Sequence, residues 1–451
     1  MHISTGAKSM MRYLIALLLI ALLASPVWAQ EVSLTTAVRS AVDKRPFVKA
    51  AEAQAASAEA AAGEALADYL PQLTLQETYL RSNEPGSSLF MSLNQEQLEL
   101  SSTADPYNYP PVRSDFETRL QLDQRLFDMR LAYAISQARS GAAAARAGAA
   151  WSREEAAFSA FGAYLGVQRS QAVHAWAESS LEEAGELLRL AELRQRNGIG
   201  LKSDTLRARV YESEVKRRYL RATNDLTLAR RRLALAMGEQ GGEIDIKAPL
   251  TAELFECETP GKGQRADLQA LSLQSRAARQ QLSSARAGWL PNLGVSASYS
   301  GHDPDQPSFE ADSWMLSGRL SWTLFDGMRR ERSQQRAAAE FRAADQVLQE
   351  ASREAELALQ EALLRAEEAQ LQYTTAQRAV AEAEESHHLL AGRYAAGLSD
   401  LSDLLGVQSA LDRARADLVD AEAALVQARG NIHFQGGGFV ALLLPGEVKE
   451  K

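Results

Sequence analysis

The chain has 451 residues, of which 46% are hydrophobic and 24% charged, so it can bury a sizeable core and is not disordered by composition. Its net charge of −9, with no strongly basic face standing out, argues against a general nucleic-acid binder. Long tracts rich in alanine, with Glu, Gln, Arg and Leu around them, are typical of long helices or coiled coils rather than of a compact enzyme.

The N-terminus predicts an exported protein. Lys8 and Arg12 precede an apolar run at 13–24, and the segment SPVWA at 25–29 follows it, with the small Ala29 at the predicted cleavage site. We interpret residues 1–29 as a signal peptide, because the run is shorter than the roughly 20 residues that a membrane-spanning helix needs. Cys257 is the only cysteine, so neither an internal disulfide nor a multi-cysteine metal site is expected.

The remaining chain is organised as two copies of one plan. Three landmarks recur in the same order in both halves. They are LPQL at 70–73 and LPNL at 290–293, LFD at 126–128 and at 324–326, and Asn197, Gly198 and Asp204 against Ala396, Gly397 and Asp403. This duplication predicts a first repeat at 30–246, a linker at 247–264, a second repeat at 265–437 and a C-terminal tail at 438–451.

Each copy contains two segments in which apolar and polar residues alternate. These predicted strands lie at about 72–82 and 117–127, and at about 292–301 and 314–325. Alternation over about ten residues with aromatic residues near the ends suits a membrane β-strand, but it suits a half-buried hairpin of a soluble domain equally well. The predicted membrane anchors are Tyr79, Trp289, Tyr299, Trp314 and Trp322. Polarity assigns the lipid-facing side to Leu293, Val295 and Ala297.

Very long helices are predicted after each strand pair. No proline occurs at 112–248 or at 308–444, and proline is the residue that most strongly breaks helices. A single helix over 131–196 would be about 100 Å long. Apolar residues follow 4-3 spacing at 348–394 and again at 404–428, which predicts a coiled coil. Because many of them are alanine, one hairpin buries little area and needs neighbours for stability.

The two helical hairpins are expected to turn at about 197–203 and 396–402. Gly198 and Gly397 suit the left-handed residue that ends a helix. Asp400 takes the capping position of the second returning helix with Asp403 in its first turn, whereas the first copy has a leucine there and keeps Asp204. These acids are as compatible with helix capping as with a role in a pore.

Four strands cannot close a membrane barrel, since the smallest bacterial barrels have about eight, so a chain of this kind must share its barrel among subunits. At this point the sequence resembles the TolC family of outer-membrane efflux proteins over nearly the whole chain after the signal peptide. The motifs that carry the resemblance are LPQL and LPNL, RLFDMR and TLFDGMRR, and RYAAGLSDLSDLLGVQSAL at the second turn. Each motif is weak alone, but their repetition in order is specific.

The resemblance implies a mainly α fold with a small β part, in which duplicated long helical hairpins form a periplasmic tunnel. It implies a homotrimer whose four strands per chain form a shared 12-stranded β-barrel in outer-membrane lipid. It also implies passive export, as efflux or type I secretion, driven by an inner-membrane pump of RND or ABC type through a periplasmic adaptor (membrane fusion) protein. The chain would then lie in the cell outer membrane with a long periplasmic extension.

The resemblance also assigns roles to residues at the hairpin tips. The adaptor-docking positions are Gly198, Ile199, Gly200, Gly397, Leu398 and Ser399. The gate or constriction positions are Asp204, Tyr394, Asp400 and Asp403. An aspartate contributed by each of three subunits would form an anionic ring that binds cations. Ser399 stands where some members have arginine and Gly406 where some have aspartate, with Arg196 and Arg393 as candidate substitutes.

Other classes of function are less well supported. His387 and His388 are adjacent rather than four residues apart, and the glycine-rich segments lack phosphate-loop and dinucleotide patterns, so no enzymatic activity, cofactor or metal site is expected. The alternative is a periplasmic coiled-coil adaptor or structural protein of an envelope complex, although an adaptor usually has one hairpin and an anchor. The exported substrate, whether drug, metal ion or polypeptide, is not encoded in a recognisable motif.

Overall fold

The computed structural model describes residues 32–100, 102–239, 244–252 and 265–445. The predicted signal peptide at 1–29, Cys257 with most of the predicted linker, and the end of the predicted tail lie outside the described residues. The helices are α1 (Leu34–Lys44), α2 (Pro46–Ala67), α3 (Pro85–Asn94), α4 (Asp105–Asn108), α5 (Met129–Arg196), α6 (Lys202–Ala236), α7 (Ala266–Ala287), α8 (Arg329–Ala395), α9 (Leu401–Gly436) and α10 (Phe439–Leu443). The strands are β1 (Gln72–Ser82), β2 (Arg113–Phe127), β3 (Asn292–Asp303) and β4 (Ala311–Ser321).

The predicted long helices are present and uninterrupted. α5 has 68 residues and α8 has 67. The aspartate of each LFD landmark begins the long helix that follows it: Asp128 Oδ1 accepts the backbone N–H groups of Arg130 and Leu131, and Asp326 Oδ1 accepts that of Arg329. These bonds satisfy N–H groups that the first turn of a helix leaves unpaired. The LFD motif is therefore a strand-to-helix junction.

None of the described helices is both long and apolar enough to cross a membrane.

The chain divides into two compact units. The first unit, at 1–49, 152–265 and 355–451, is helical in its described part. Its main core surrounds Phe161 and Phe439, both fully buried. Gly430 allows α9 to approach α5 closely here, because a Cβ at that position would lie 2.5 Å from Phe161 Cε1. Along α8 and α9 the alanine-rich seam positions predicted from 4-3 spacing are mostly buried or half-buried, which agrees with the predicted coiled coil.

The second unit, at 50–151 and 266–354, contains the four strands as one antiparallel sheet in the order β1-β2-β3-β4. The strands follow the predicted segments with two differences. β2 begins at Arg113, four residues before the predicted start. β4 occupies Ala311–Ser321 instead of 314–325, because the chain leaves the ladder at Trp322, whose Nε1 donates to the Trp289 carbonyl (3.1 Å).

Candidate functional site

The two hairpin tips have the same backbone geometry. Gly198 and Gly397 are left-handed, with φ of 71° and 75°. At the first tip, Ile199 N–H donates to the Arg194 carbonyl (3.1 Å), and at the second, Leu398 N–H donates to the Arg393 carbonyl (2.8 Å). With the bonds made by the two glycine N–H groups, both tips are Schellman motifs, which end a helix without leaving its last carbonyls unpaired.

The predicted adaptor-docking residues all lie in these two turns. Ile199 and Leu398 are exposed apolar side chains at the outermost positions, and Gly198 and Gly397 are exposed beside them. Gly200 is half-buried and packs closely against Arg194: a Cβ added at this glycine would lie only 2.9 Å from Arg194 Cβ. Ser399 Oγ is buried and has no hydrogen-bond partner in the described part of the chain.

Arg194 joins the two tips. Its Nη2 donates to the carbonyls of Tyr394 (2.9 Å) and Ala395 (3.1 Å), the last residues of α8. Its guanidinium carbon lies 4.4 Å from the centroid of the Tyr394 ring, within the range of a cation–π contact. A cation at the C-terminal end of α8 also interacts favourably with the helix dipole. Tyr394 is itself buried in a cluster with Ala191, Ala208, Leu401 and Leu404.

The other predicted gate residues are not brought together within one chain. Asp204 is half-buried and Asp403 exposed, each in the first turn of its helix. The expected capping by Asp400 is wrong in one respect: the residue occupies the N-cap position of α9, but its side chain makes no capping hydrogen bond. Among the described residues, no hydrogen bond joins the Tyr394 hydroxyl to any of these acids.

Arg194 is not among the residues predicted from the sequence, where Arg196 and Arg393 are the candidate arginines at the tips. Arg196 instead donates to the Glu192 carbonyl of its own helix (3.4 Å). Arg194 lies four residues before Gly198, as Arg393 does before Gly397, so the spacing does not single it out. Because all three arginines lie near the tips, only the structure distinguishes them.

A buried carboxylate connects three helices above the tips. Asp412 on α9 accepts hydrogen bonds from Ser180 of α5 (3.1 Å), Tyr211 of α6 (3.1 Å) and Gln408 (3.3 Å), and Arg218 of α6 lies 3.4 Å away. Burial, together with the negative charge of Asp412, raises the pKa of the Tyr211 hydroxyl, which therefore remains a donor at all physiological pH values. This network fixes the spacing of α5, α6 and α9.

The sheet has one apolar and one polar face. Register places Leu75, Leu120, Tyr299 and Trp314 in one row across all four strands. The next apolar row along the strands is Leu73, Leu122, Ala297 and Leu316. Side chains on this face are largely exposed in the single chain. The residues that the sequence assigned to lipid, Leu293, Val295 and Ala297, lie on it.

The opposite face is lined with polar and charged side chains. One row across the sheet is Gln72, Asp123, Ser296 and Ser317. Arg119, which forms an ion pair with Glu117, and Arg319 lie on the same face. Together with their neighbours they line a concave region of about 400 Å³. The contrast between the two faces is the pattern of a strand that separates lipid from water.

The predicted aromatic anchors lie near the two ends of the sheet. Tyr299 and Trp314 are cross-strand partners, and Tyr79 contacts Phe116 with ring centroids 4.8 Å apart. Trp289 lies at the end of the sheet that joins the helices and is covered by the guanidinium of Arg330, 4.2 Å from its ring. The 12 residues of β3 span about 36 Å, or about 28 Å of membrane at a 40° tilt, which is enough to cross the roughly 25 Å apolar band of an outer membrane. Trp322 lies one residue beyond β4 rather than within it.

Comparison with known proteins identifies the same architecture. The sequence matches the model of the outer membrane efflux protein family over residues 37–239 and 262–435. Curated protein sequences give no significant match.

Three solved structures illustrate the likeness. CusC is 17% identical with a TM-score of 0.79 and covers 90% of this chain and 92% of its own. VceC from Vibrio cholerae is 21% identical, with a TM-score of 0.74 and coverage of 90% and 96%. The MtrE outer membrane channel of Neisseria gonorrhoeae, in its open state, is 17% identical, with a TM-score of 0.76 and coverage of 90% and 89%. These likenesses confirm the predicted fold class, mainly α with a small antiparallel sheet.

Proposed function

Because the chain belongs to the outer membrane efflux protein family, we propose that three copies assemble into one passive export channel. In this assembly the four strands of each chain contribute to a shared 12-stranded barrel, and the helical hairpins form a tunnel in the periplasm. The apolar face of the sheet contacts lipid, and the polar face lines the water-filled lumen.

Family membership itself fixes the coarser description. The protein is an outer-membrane efflux channel with long periplasmic helices, and it is a conduit rather than an enzyme. The absence of enzymatic activity predicted from the sequence is confirmed on this basis. The alternative of a periplasmic adaptor is not supported, because the family match covers both repeats.

The observation that carries the trimer proposal is the open four-stranded sheet. β1 and β4 are its edges, and each presents one row of backbone N–H and C=O groups without a partner strand within the described chain. A sheet in lipid must pair its edges, because unpaired backbone groups in hydrocarbon cost several kcal/mol each. Pairing β4 of one chain with β1 of the next closes a barrel only when several chains contribute.

We place the gate at the periplasmic tips. The contact between Arg194 and Tyr394 holds the two hairpins of a subunit together, and three copies of it would narrow the tunnel mouth. Asp204, Asp400 and Asp403 would then form anionic rings around the axis, which favour cations. The repulsion among these like charges would counteract the contact between Arg194 and Tyr394. It would therefore lower the free energy needed to open the tunnel mouth.

The exposed turn residues are the proposed contact for a periplasmic adaptor. Ile199 and Leu398 present apolar side chains at the outermost point of each hairpin, and each directly follows a left-handed glycine, Gly198 or Gly397, that admits close approach of another backbone. The six docking positions predicted from the sequence would meet the adaptor, which links the channel to an inner-membrane pump of RND or ABC type. The channel would serve efflux or type I secretion according to that pump.

Membrane fractionation followed by a heat-modifiability gel tests the proposal. We expect the protein in the outer-membrane fraction, migrating as a trimer in unheated samples and as a monomer after boiling. Recovery as a soluble periplasmic monomer would contradict the channel assignment.

A further inference from the structure

Helix α6 carries an apolar stripe that nothing in the described chain covers. Val210 is 68% exposed and Leu235 is 73% exposed, although both are large apolar residues of a rigid helix. The exposed positions follow 4-3 spacing along most of the helix, like the seam of a coiled coil. The stripe consists of Leu206, Val210, Ser213, Arg217, Leu220, Asn224, Leu228, Arg231 and Leu235.

Helix α8 carries a second stripe of the same kind in its tip-proximal half. Leu364 is 67% exposed and Leu371 is 69% exposed. The exposed positions again follow 4-3 spacing for several heptads. This stripe consists of Leu364, Glu368, Leu371, Thr375, Arg378, Glu382, Glu385, Leu389 and Gly392.

In both helices the stripe lies opposite the face that is already buried. At about 100° per residue, the buried Val215 and Leu233 of α6 lie about 160° around the helix from Arg217. At the same angle per residue, the buried Ala362 and Ala369 of α8 lie about 150° around the helix from Glu382. A helix on the surface of a monomer usually has one apolar face, whereas a helix within a closed wall has two. Among the described residues, each helix therefore lacks a neighbour on its second face.

The two stripes carry opposite charge. The α6 stripe contains Arg217 and Arg231 and no acid, and the whole helix contains ten lysine and arginine residues and four acids. The tip-proximal part of α8, at 355–395, contains seven acids and three arginines. Net charge summed over the whole chain concealed this asymmetry. A basic leucine stripe and an acidic leucine stripe are complementary partners for each other.

The charged positions also lie at matching distances from the tips. Ala208 of α6 and Tyr394 of α8 belong to one core cluster, so they lie at about the same level. α6 runs away from the tip and α8 towards it, with the same rise per residue, so Arg217 lies level with Glu385 and within one turn of Glu382. A three-fold axis parallel to the hairpins preserves these levels in a neighbouring subunit.

We infer that α6 of one subunit packs along these stripes against α8 of the next subunit, with Arg217 facing Glu382 and Glu385. This assignment rests on the proposed trimer and specifies its periplasmic interface. The contact is head-to-tail, because two different surfaces meet, and such contacts form a closed ring when the rotation between successive subunits is 120° for three copies. We assign the partner of each stripe to a second copy of the chain rather than to an adaptor helix. The reason is that the two stripes of one molecule carry opposite charges at the same distance from the tips.

Cysteine crosslinking in outer-membrane vesicles tests the pairing. Arg217→Cys and Glu385→Cys are introduced together into a Cys257→Ser background and oxidised. We expect covalent dimers and trimers on non-reducing gels, formed about ten-fold more than in the matched control, because a disulfide requires Cβ atoms about 4 Å apart. The control combines Lys216→Cys with Glu385→Cys, since Lys216 is equally exposed on the neighbouring face of α6.

A charge exchange provides the second variant. Arg217→Glu alone should lower the temperature at which the trimer dissociates on a gel, and the combination with Glu382→Arg and Glu385→Arg should restore it. Arg189→Glu, a charge reversal on α5 outside both stripes, should leave the dissociation temperature unchanged.

The outcomes separate the interface from the trimer itself. If native mass spectrometry shows a wild-type trimer but the cysteine pair does not crosslink preferentially, or crosslinks to an adaptor instead, the proposed interface alone is overturned. A monomer would overturn the proposed function as well.

Discussion

Replacing Arg194 by alanine should open the periplasmic end of the channel. The substitution removes the guanidinium that stacks on the Tyr394 ring at 4.4 Å and donates to the carbonyls of Tyr394 and Ala395. It leaves both Schellman turns in place, because these are made by backbone groups. The variant therefore removes the contact between the hairpins and not the hairpins themselves.

The size of the effect follows from the interactions that the guanidinium makes. A cation–π contact on a buried ring contributes about 1 kcal/mol. The two hydrogen bonds from a partly solvated guanidinium together contribute about 1 to 2 kcal/mol. Removing about 2 to 3 kcal/mol per subunit changes the ratio of closed to open tips by about 30- to 150-fold.

Single-channel recording in planar bilayers measures this ratio as open probability. Arg194→Ala should raise the open time and the mean conductance, and Arg194→Lys should give a smaller increase, because lysine keeps the charge but lacks the planar fork. Arg189→Ala is the control, since Arg189 pairs with Glu186 on its own helix.

A second variant distinguishes this gate from one based on the Tyr394 hydroxyl. Tyr394→Phe keeps the ring under Arg194 and removes only the hydroxyl, so its conductance should match that of the wild type. If Tyr394→Phe opens the channel while Arg194→Ala leaves it closed, the assignment of Arg194 is refuted.

Three further predictions concern stability and are measured by thermal unfolding in detergent. Asp412→Ala should destabilise the helical unit by about 2 to 3 kcal/mol, because it leaves buried donors unpaired, whereas Asp417→Ala, exposed on the same helix, should have little effect. Gly430→Ala should cost about 1 to 3 kcal/mol by overpacking, whereas Gly406→Ala, with open space around it on the same helix, should be neutral or stabilising. Burial raises the pKa of Glu154 above its usual value near 4.5, so folding favours its protonated form and the stability of the wild type should fall as pH rises above that usual value. Glu154→Gln should lose that part of the pH dependence; an equal slope in both proteins would contradict the assignment.

The architecture was predictable where the sequence repeats a physical pattern. The two LP motifs, the two long proline-free segments and the glycines at 198 and 397 each impose a local geometry, and their duplication left few alternatives. Alternating polarity predicted both faces of the sheet. The strand ends were less predictable: β4 stops at Ser321 because Trp322 donates to the carbonyl of Trp289, a bond between residues far apart in sequence.

The sites were less predictable because they depend on contacts between hairpins. Arg194 could not be distinguished from Arg196 by sequence, since only one of them reaches Tyr394. The buried position of Asp412 was likewise invisible among the many acids of an exposed-looking helix. The stripes of α6 and α8 were concealed for a different reason: a helix with apolar residues on two opposite sides has a weak periodicity, so its second face is not apparent until the first has been assigned.

Single-channel conductance of the purified full-length protein tests the central claim most directly. We predict discrete, small, cation-selective steps at low open probability without any pump or energy source, with weaker cation selectivity for Asp403→Ala as the anionic ring is removed, and with larger and longer openings for Arg194→Ala as the tips separate. Protein that inserts into the bilayer but gives no discrete conductance in the wild type or in either variant would contradict the assignment of a passive, tip-gated export channel.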